Sequence, residues 1–294
     1  MPHPAYPSLV DRVVIITGGG RGLGQVMALA LVEAGAKVVI TGARAGHELD
    51  ETVARGNALG TGAMAGMIAD VADPVACATL VRFAEERFGP VDVLVNNAAR
   101  APAEQNLAES PDARPKFWEM DYGGITRMLM TNVAGVWAMA QAVLPGMIAR
   151  GSGKIVNIST SRPTMVNRIS GIYGPCKAAV EASSRVWTEE LAGTGVTVNV
   201  FLPGGAADTA LIPGPVGGRA KPFVPGKEAP GREGFVDGLL PPEIMGAPIL
   251  WLASDRSDGV SGRRFVARDW DADLEPDDAA KRAEASRIDW PHVM

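Results

Sequence analysis

Residues 13–24, Val-Val-Ile-Ile-Thr-Gly-Gly-Gly-Arg-Gly-Leu-Gly, decide the fold of this chain. The β-branched run predicts a strand, and the glycine-rich turn after it leads into an apolar helical pattern over Leu23–Ala34. Glycines let the backbone turn tightly and let a pyrophosphate approach, and a helix N-terminus attracts the anion. In this strand, turn and helix context the cluster predicts a dinucleotide site. The alternative is a tight turn with only a structural role.

The same alternation of short apolar runs and amphipathic stretches continues along the chain. Such strands between helices indicate a parallel sheet covered on both faces, so we predict a doubly wound, Rossmann-type α/β fold with about seven strands. The predicted strands are Val13–Thr17, Lys37–Thr41, Ala63–Ala69, Val91–Val95, Lys154–Ser159, Val196–Phe201 and Gly262–Val266. The predicted helices are Leu23–Ala34, Pro74–Phe88, Thr126–Arg150, Tyr173–Ala192 and Pro242–Ser254.

The length of 294 residues suits one large α/β domain, and no linker-like run divides residues 1–294. Two segments interrupt the alternation and are predicted to be loops. Residues 100–116 are polar and contain proline, and residues 204–242, rich in Gly and Pro, form the predicted substrate loop. The charged stretch 270–294 is either a solvated tail or an arm that docks on a neighbouring subunit.

Composition excludes several classes of function. A net charge of −5 gives no electrostatic footprint for nucleic acid. Cys77 and Cys176 have no partners at the spacing of a disulfide framework or a zinc site, so a reducing compartment and no metal are expected. Residues 1–8 lack the pattern of a signal peptide, and no apolar stretch approaches the ~20 residues that cross a bilayer. We expect a soluble, cytoplasmic protein without membrane or nucleic-acid partners.

The end of the second strand bears on which coenzyme the chain prefers. Many dinucleotide enzymes place there an acid that holds the adenosine ribose, but this chain has Gly42. Without that carboxylate a 2′-phosphate is not repelled, and Arg21 and Arg44 supply cations that could grip it. NADP(H) is therefore favoured over NAD(H). The alternative is that either arginine is a solvated surface charge.

Two further strand ends carry polar residues where ligands bind in open α/β sheets. Asp70-Val71 closes the third strand, and Asn96-Asn97 closes the fourth. We expect Asp70 to accept a hydrogen bond from the adenine amino group, and Asn96 to support the backbone beside the coenzyme. Asp70 is otherwise a helix N-cap, and Asn96 an ordinary turn residue.

Tyr173 and Lys177 lie four residues apart, on one face of a predicted helix. A phenol titrates near pH ~10, but a neighbouring cation favours the phenolate. A downward pKa shift of about three units requires roughly 4 kcal/mol, which the ammonium and an oxidised nicotinamide ring can share. The pair therefore predicts a general acid or base beside a nicotinamide.

Together these residues resemble the short-chain dehydrogenase/reductase family, of the single-domain TGxxxGxG and YxxxK type, from about Asp11 to Ala267. The ordered positions are Thr17, Gly22, Gly24, Asp70, Asn96, Asn97, Ala98, Asn132, Asn157, Ile158, Ser159, Thr160, Tyr173, Lys177, Asn199, Pro203 and Gly204. The resemblance implies that Tyr173 is the general acid or base and that Lys177 binds the nicotinamide ribose and lowers the pKa of the phenol. It further implies that Thr160 orients the substrate oxygen and that Asn132 supports a water in a proton relay.

The chain departs from the family pattern at several positions. Thr160 stands where the family usually has serine, and threonine keeps the hydroxyl but has a stiffer χ1. A register shift that brings Ser159 or Ser161 into the site remains open. Ala99 replaces the usual glycine, and residues 268–270 replace the common Asp-Gly ending. The spacing from Pro203-Gly204 to Thr209, the threonine expected at the carboxamide, is one residue longer than usual.

The resemblance implies an enzyme that interconverts a ketone and a secondary alcohol, as a homodimer or homotetramer. The loops suggest a small-molecule carbonyl or alcohol substrate with substantial apolar surface. Alternatives are an epimerase or dehydratase of the same fold, or a coenzyme-sensing binding protein without turnover. The expected coenzyme-binding residues are Gly18, Arg21, Gly22, Leu23, Gly24, Arg44, Asp70, Val71, Asn97, Ala98, Tyr173, Lys177, Pro203, Gly204 and Thr209.

Overall fold

A computed structural model of the chain describes residues 3–100, 116–167, 171–209 and 238–285. It confirms the predicted doubly wound fold. Seven parallel strands form one sheet in the order β3-β2-β1-β4-β5-β6-β7. The strands are β1 (Val13–Thr17), β2 (Lys37–Gly42), β3 (Ala63–Ile68), β4 (Val93–Asn96), β5 (Gly153–Ile158), β6 (Val196–Leu202) and β7 (Arg264–Val266).

Helices cover both faces of this sheet. Within the described ranges they are α1 (Gly22–Glu33), α2 (His47–Ala58), α3 (Pro74–Phe88), α4 (Tyr122–Leu129), α5 (Gly135–Arg150), α6 (Arg162–Val166), α7 (Tyr173–Glu190), α8 (Gly246–Ala253) and α9 (Pro276–Ala283). Val14 and Ile16 enter the core beneath α1 and α8, whereas Val13 and Ile15 enter the core beneath α3, α5 and α7. Because successive side chains of a strand point to opposite faces, a sheet covered on both sides needs such continuous apolar strands.

Three helices were not predicted from the sequence pattern, namely α2, α6 and α9. The mostly polar α2 buries only Leu49, Thr52 and Gly56. In α9, three alanines are buried, and the buried Trp251 of α8 donates its indole N–H to Asp277 at 2.8 Å. The start of the 270–294 stretch therefore packs on its own chain and is not a fully solvated tail. Residues 286–294 lie outside the described part, as do 101–115 and 210–237 of the two predicted loops.

The predicted helix over 126–150 is longer than expected. It runs from Tyr122 to Arg150, 29 residues, as α4, a π-helical turn at Met130–Ala134 and α5. By length and composition alone this helix could cross a membrane, so the expectation that no such stretch exists was wrong. It packs against α3 and against β4 and β5 of the sheet. A core helix of a soluble protein passes the same test.

Two glycines of α5 provide a test of this packing. A methyl group on Gly135 would lie 2.7 Å from Cγ2 and 2.9 Å from the carbonyl oxygen of Val71, whereas one on Gly146 would meet only flexible side-chain ends, the nearest being Arg150 at 3.2 Å. Gly135→Ala should lower the free energy of unfolding by about 1–3 kcal/mol through overpacking. The matched Gly146→Ala should raise it by up to about 1 kcal/mol, because alanine favours the helix. Urea unfolding measures both, and equal effects would contradict the close contact at Val71.

Candidate active site

The glycine-rich turn after β1 is braced by the end of β4. Gly18 and Gly22 have φ angles of 64° and 55°, which glycine adopts without strain. The Asn97 side-chain amide donates to the carbonyl oxygens of Thr17 and Gly18, both at 2.9 Å. In return the Thr17 hydroxyl accepts the backbone N–H groups of Asn97 and Ala98, each at 3.0 Å. The predicted residues Gly18, Asn97 and Ala98 thus form one rigid unit.

This turn opens a cradle at the start of α1, where Gly22, Leu23 and Gly24 form the first turn. No side chain caps the helix, and its first turn carries no acidic residue, so the first N–H groups remain available to an anion. A methyl group on Gly24 would collide with the Gly18 carbonyl oxygen. Thr209, although displaced by one residue in sequence, lies within 3.4 Å of where a Gly22 methyl would stand. These residues fit a pyrophosphate, which needs close approach to backbone N–H groups.

The predicted Arg21 and Arg44 lie just before α1 and just after β2, where the adenosine was predicted to bind. Arg21 forms an exposed ion pair with Glu48 of α2 at 3.4 Å, which the sequence did not reveal. Arg44 is exposed just beyond Gly42, and it makes no ion pair with any part of the chain that the structure describes. Exposed pairs such as Arg21 and Glu48 contribute little stability, so either arginine can turn toward a ligand.

Asp70 lies at the end of β3, next to the buried Val71, and is already engaged. One carboxylate oxygen accepts the Ala72 backbone N–H at 3.0 Å, which closes a turn. The other lies 3.8 Å from the guanidinium of Arg100, a residue that the sequence analysis did not select. The carboxylate that was predicted to bind the adenine amino group therefore already interacts with the Ala72 N–H and the Arg100 guanidinium.

Asn96 occupies a different place from the one expected. It is buried, and its amide donates to Asn157 of β5 at 2.9 Å. Asn157 in turn donates to Ser184 of α7 at 2.9 Å. The expectation that Asn96 supports the backbone beside the coenzyme was wrong, because its side chain points into the sheet–helix interface and Asn97 braces the turn instead.

Asn132 lies in the π-helical turn between α4 and α5 and is fully buried. Its side chain pairs with the backbone of Arg100: the oxygen accepts the N–H at 2.7 Å, and the amide donates to the carbonyl at 3.0 Å. The Arg100 side chain also donates to Thr131 at 2.9 Å. Since α7 packs against this turn, Asn132 is held close to the helix of Tyr173. π-Helical turns recur at functional sites.

Tyr173 and Lys177 share one face of α7, as predicted. The Lys177 side chain is buried, and its Nζ donates to the Ile158 carbonyl oxygen at 2.7 Å while lying 5.8 Å from the centre of the Tyr173 ring. The Tyr173 hydroxyl has no hydrogen-bond partner among the described residues. A methyl group on Gly174 would collide with a carbonyl oxygen of α6, so the start of α7 presses against that helix.

Burial governs the protonation of this pair. It raises the pKa of the Tyr173 phenol above its ordinary value, and the neighbouring Cys176 adds to the rise. Burial also lowers the pKa of Lys177 to about 8. In the chain without coenzyme, desolvation therefore opposes the charged forms of both side chains.

The three hydroxyl residues after β5 differ in their partners. Ser159 is buried and donates to Glu181 at 2.6 Å. Ser161 shares a hydrogen bond of 2.8 Å with Thr164 of α6. The hydroxyl of the partly exposed Thr160 makes no hydrogen bond within residues 3–100, 116–167, 171–209 and 238–285. Of the three, Thr160 is the hydroxyl that is free to meet a substrate.

Two charged residues beside Thr160 were not predicted from the sequence. Arg264 of β7 donates to Glu181 of α7 at 3.0 Å and to the Thr160 carbonyl oxygen at 2.8 Å. Glu181 lies one turn after Lys177 on the same helix, a spacing that could have identified it. For Arg264 the only signal was a charge inside a short predicted strand.

The turn after β6 is held by the chain ending that departs from the family pattern. Arg268 donates its backbone N–H to Pro203 at 3.1 Å and its guanidinium to the Gly204 carbonyl oxygen at 2.9 Å. Beyond this turn, backbone hydrogen bonds of 2.9 and 2.8 Å tie Asp208 and Ala206 to Leu240. The two ends of the predicted substrate loop are therefore fastened together beside Thr209.

Comparison with known proteins gives consistent matches. The family model described as short chain dehydrogenase matches residues 12–213. A short-chain type dehydrogenase/reductase of Picea abies is 32% identical over 87% of this chain and 90% of its own length. An uncharacterised oxidoreductase of Staphylococcus aureus is also 32% identical, over 69% of this chain and 81% of its own length.

Solved structures agree with this. A putative short-chain alcohol dehydrogenase from Sinorhizobium meliloti superposes with a TM-score of 0.71 at 27% identity, covering 89% of this chain and 97% of its own. A short-chain type dehydrogenase/reductase from Mycobacterium marinum has a TM-score of 0.72 and covers 88% and 94%, and at 24% identity it supports the fold alone.

The low pKa of Lys177 predicts how stability depends on pH. Because the folded pKa of about 8 lies below the ordinary 10.5, the folded chain releases this proton first as the pH rises. The unfolded chain then binds more protons, so folding becomes more favourable above pH 8. Between pH 7 and pH 9.5 the free energy of unfolding of the native chain should gain about 2 kcal/mol over that of Lys177→Met. Urea unfolding of both chains at each pH tests this, and a shrinking difference would contradict it.

Proposed function

Because this chain belongs to the short-chain dehydrogenase family of oxidoreductases, we propose that it interconverts a ketone and a secondary alcohol with a nicotinamide coenzyme. The observation that carries the proposal is the hydrogen bond of 2.7 Å from Lys177 Nζ to the Ile158 carbonyl oxygen. This bond joins the helix that bears Tyr173 to the strand that leads into Thr160. A proton donor and a second hydroxyl thus stand at the carboxyl edge of the sheet, where ligands bind in such folds.

In the reductive direction Tyr173 donates its proton to the substrate oxygen, and the Thr160 hydroxyl donates a hydrogen bond to that oxygen. A nicotinamide coenzyme, when bound, would supply the hydride that the substrate carbon takes up, and its oxidised form would carry a positive charge. Two donors directed at one oxygen stabilise the charge that develops there, most strongly in a partly dry pocket. Asn132 supports the water through which the proton of Tyr173 is replaced. The oxidative direction reverses these transfers.

Burial raises the pKa of Tyr173, so the phenol is protonated at neutral pH and can be the donor in the reductive direction. The same rise makes it a weaker acid, so transfer of its proton depends on the negative charge that develops on the substrate oxygen. To accept a proton in the oxidative direction it needs positive charge, which Lys177 at 5.8 Å supplies in part. Since the pKa of Lys177 is about 8, its ammonium form prevails at neutral pH.

The coenzyme preference that we propose is NADP(H) over NAD(H). Its support is Gly42, which leaves no carboxylate at the end of β2, together with the exposed guanidinium of Arg44. Arg21 offers a second cation at the same edge. One observation favours the alternative, NAD(H): Glu48 pairs with Arg21 at 3.4 Å and brings a negative charge to this side of the glycine-rich turn.

We propose a substrate with apolar surface. Val166 of α6 is 80% exposed, and α6 lies against the start of α7 where Tyr173 stands. An epimerase or dehydratase, or a coenzyme-sensing protein, remains the alternative, although a protein without turnover would not need the Tyr173 and Lys177 pair. Initial rates with a panel of ketones and alcohols separate these functions, because only an oxidoreductase shows net oxidation or reduction of added coenzyme.

We further propose a cytoplasmic homodimer or homotetramer. The 122–150 helix exposes Leu129, Met130 and Trp137, and α7 exposes Val186. Trp137 packs edge-on against Trp187 with ring centres 5.0 Å apart, which connects the two helices. A second copy would cover these exposed apolar side chains, since exposed apolar patches favour association.

Tyr173→Phe tests the proton donor. Removal of one hydroxyl should reduce kcat by ~10²- to 10⁴-fold, the usual contribution of a general acid or base, and leave coenzyme affinity within about twofold. Tyr122→Phe is the matched control, because Tyr122 is 79% exposed and should keep full activity. Steady-state kinetics and coenzyme titration give both numbers. Near-normal turnover by Tyr173→Phe would refute the assignment.

Arg44→Ala tests the coenzyme preference. Loss of a charge-assisted contact to the 2′-phosphate should raise KM for NADP(H) by about 10-fold or more and leave KM for NAD(H) within about twofold. Arg55→Ala, which removes another exposed arginine from α2, should change neither constant. If Arg44→Ala affects both coenzymes equally, Arg44 does not read the 2′-phosphate.

A further inference from the structure

Three consecutive residues at the end of β5 are each held by a charged side chain. The Ile158 carbonyl accepts from Lys177 at 2.7 Å, the Ser159 hydroxyl donates to Glu181 at 2.6 Å, and the Thr160 carbonyl accepts from Arg264 at 2.8 Å. Lys177 and Glu181 come from the adjacent helix α7, but Arg264 comes from β7 at the edge of the sheet. Its guanidinium reaches past β6 to contact the segment that follows β5.

The Arg264 contact is a fork with well-defined geometry. Nε lies 3.0 and 3.2 Å from the two carboxylate oxygens of Glu181, while Nη2 binds the Thr160 carbonyl. The side chains of Arg264 and Glu181 are only 16% and 22% exposed, so this ion pair is less screened than a surface pair. The planar guanidinium holds both partners in one plane, which the single ammonium of lysine cannot do.

Fixing the Thr160 carbonyl has a consequence for its side chain. Threonine is β-branched, so χ1 is stiff and the direction of the hydroxyl follows the backbone. Thr160 is the last residue of this run before Ser161 and α6, and beyond Arg264 no described side chain holds its backbone. The orientation of the hydroxyl therefore depends on a residue two strands away.

We propose that Arg264 is a positioning residue: by holding the Thr160 carbonyl and Glu181 together, it fixes the Thr160 hydroxyl toward the substrate oxygen. This inference rests on the proposed function of Thr160. Arg264 makes no contact with the reacting atoms and acts through Thr160 and through the helix of Tyr173 and Lys177. A displacement of about 1 Å at a reacting group can cost ~10²-fold in rate, so even a small relaxation of Thr160 is measurable.

A double-mutant cycle tests the proposal. Arg264→Gln, which keeps much of the side-chain volume, should lower kcat by about 10- to 100-fold, with the coenzyme dissociation constant within about twofold of the native value. In the Thr160→Ala background the same change should cost less than about twofold, because the hydroxyl that Arg264 positions is already gone. Arg264→Lys should recover only part of the loss. Equal losses in both backgrounds would overturn the proposal.

The neighbouring arginine provides the matched control. Arg263 forms an exposed ion pair with Glu284 at 3.0 Å, so Arg263→Gln removes the same kind of group from the same strand end and should leave kcat unchanged. A comparable loss of kcat in Arg263→Gln would mean that disturbance of strand β7, rather than loss of the contact with Thr160, lowers the activity.

A second measurement needs neither coenzyme nor turnover. Three-bond couplings to the Thr160 Cγ2 methyl carbon report its χ1 rotamer by NMR. A single rotamer in the native chain and in Arg263→Gln, with averaging in Arg264→Gln, is the expected result, and one fixed rotamer in all three would overturn the proposal. A native chain that turns over no ketone or alcohol contradicts the proposed function, whereas this readout still decides the role of Arg264.

Discussion

The site depends on one buried hydrogen bond, from the Lys177 ammonium to the carbonyl oxygen of Ile158. A cation that has left water must find partners, and this carbonyl at the end of β5 ties Lys177 of α7 to the sheet. Tyr173 lies one turn before Lys177 on the same helix. The hydrogen bond that Lys177 donates therefore also positions the phenol relative to the strand ends. Burial lowers the pKa of the Lys177 amine to about 8, so the ammonium form is still in excess at neutral pH.

A second constraint acts on the other half of the sheet. The Asn97 side chain holds the glycine-rich turn against the end of β4, and three residues further on the Asn132 side chain holds the backbone of Arg100 against the π-helical turn. Segments that leave a sheet lose the strand-to-strand hydrogen bonds that would satisfy their backbone N–H and carbonyl groups. The side-chain amides of both asparagines bind such backbone groups instead. The polar residues along this edge hold the loops as well as offering contacts to ligands.

Much of the fold could be predicted, because continuous apolar strands and glycine turns are local signals. Val13–Thr17 and Pro74–Phe88 were predicted to the residue. The helix α2 was missed because it buries few apolar residues, and α9 because its buried side chains are alanines in a charged stretch. Likewise, local spacing placed Tyr173 and Lys177 on one face of a helix, but no local pattern joins Thr160, which follows β5, to Arg264 of β7, two strands away. Two features depend on burial that only the packing of the folded chain determines. One is which hydroxyl among residues 159–161 lacks a hydrogen-bond partner, and the other is whether the pKa of the Tyr173 phenol rises or falls.

The bridge between Ala207 and Leu240 has a consequence for evolution. It pins the two ends of the segment between them to each other by backbone hydrogen bonds, which do not depend on side-chain identity. Insertions or replacements between these ends leave the strand edge undisturbed, and closing a longer loop across a fixed base costs little. Under the prediction that this segment selects the substrate, such an arrangement separates specificity from catalysis, so new specificities can arise while the chemistry is inherited intact.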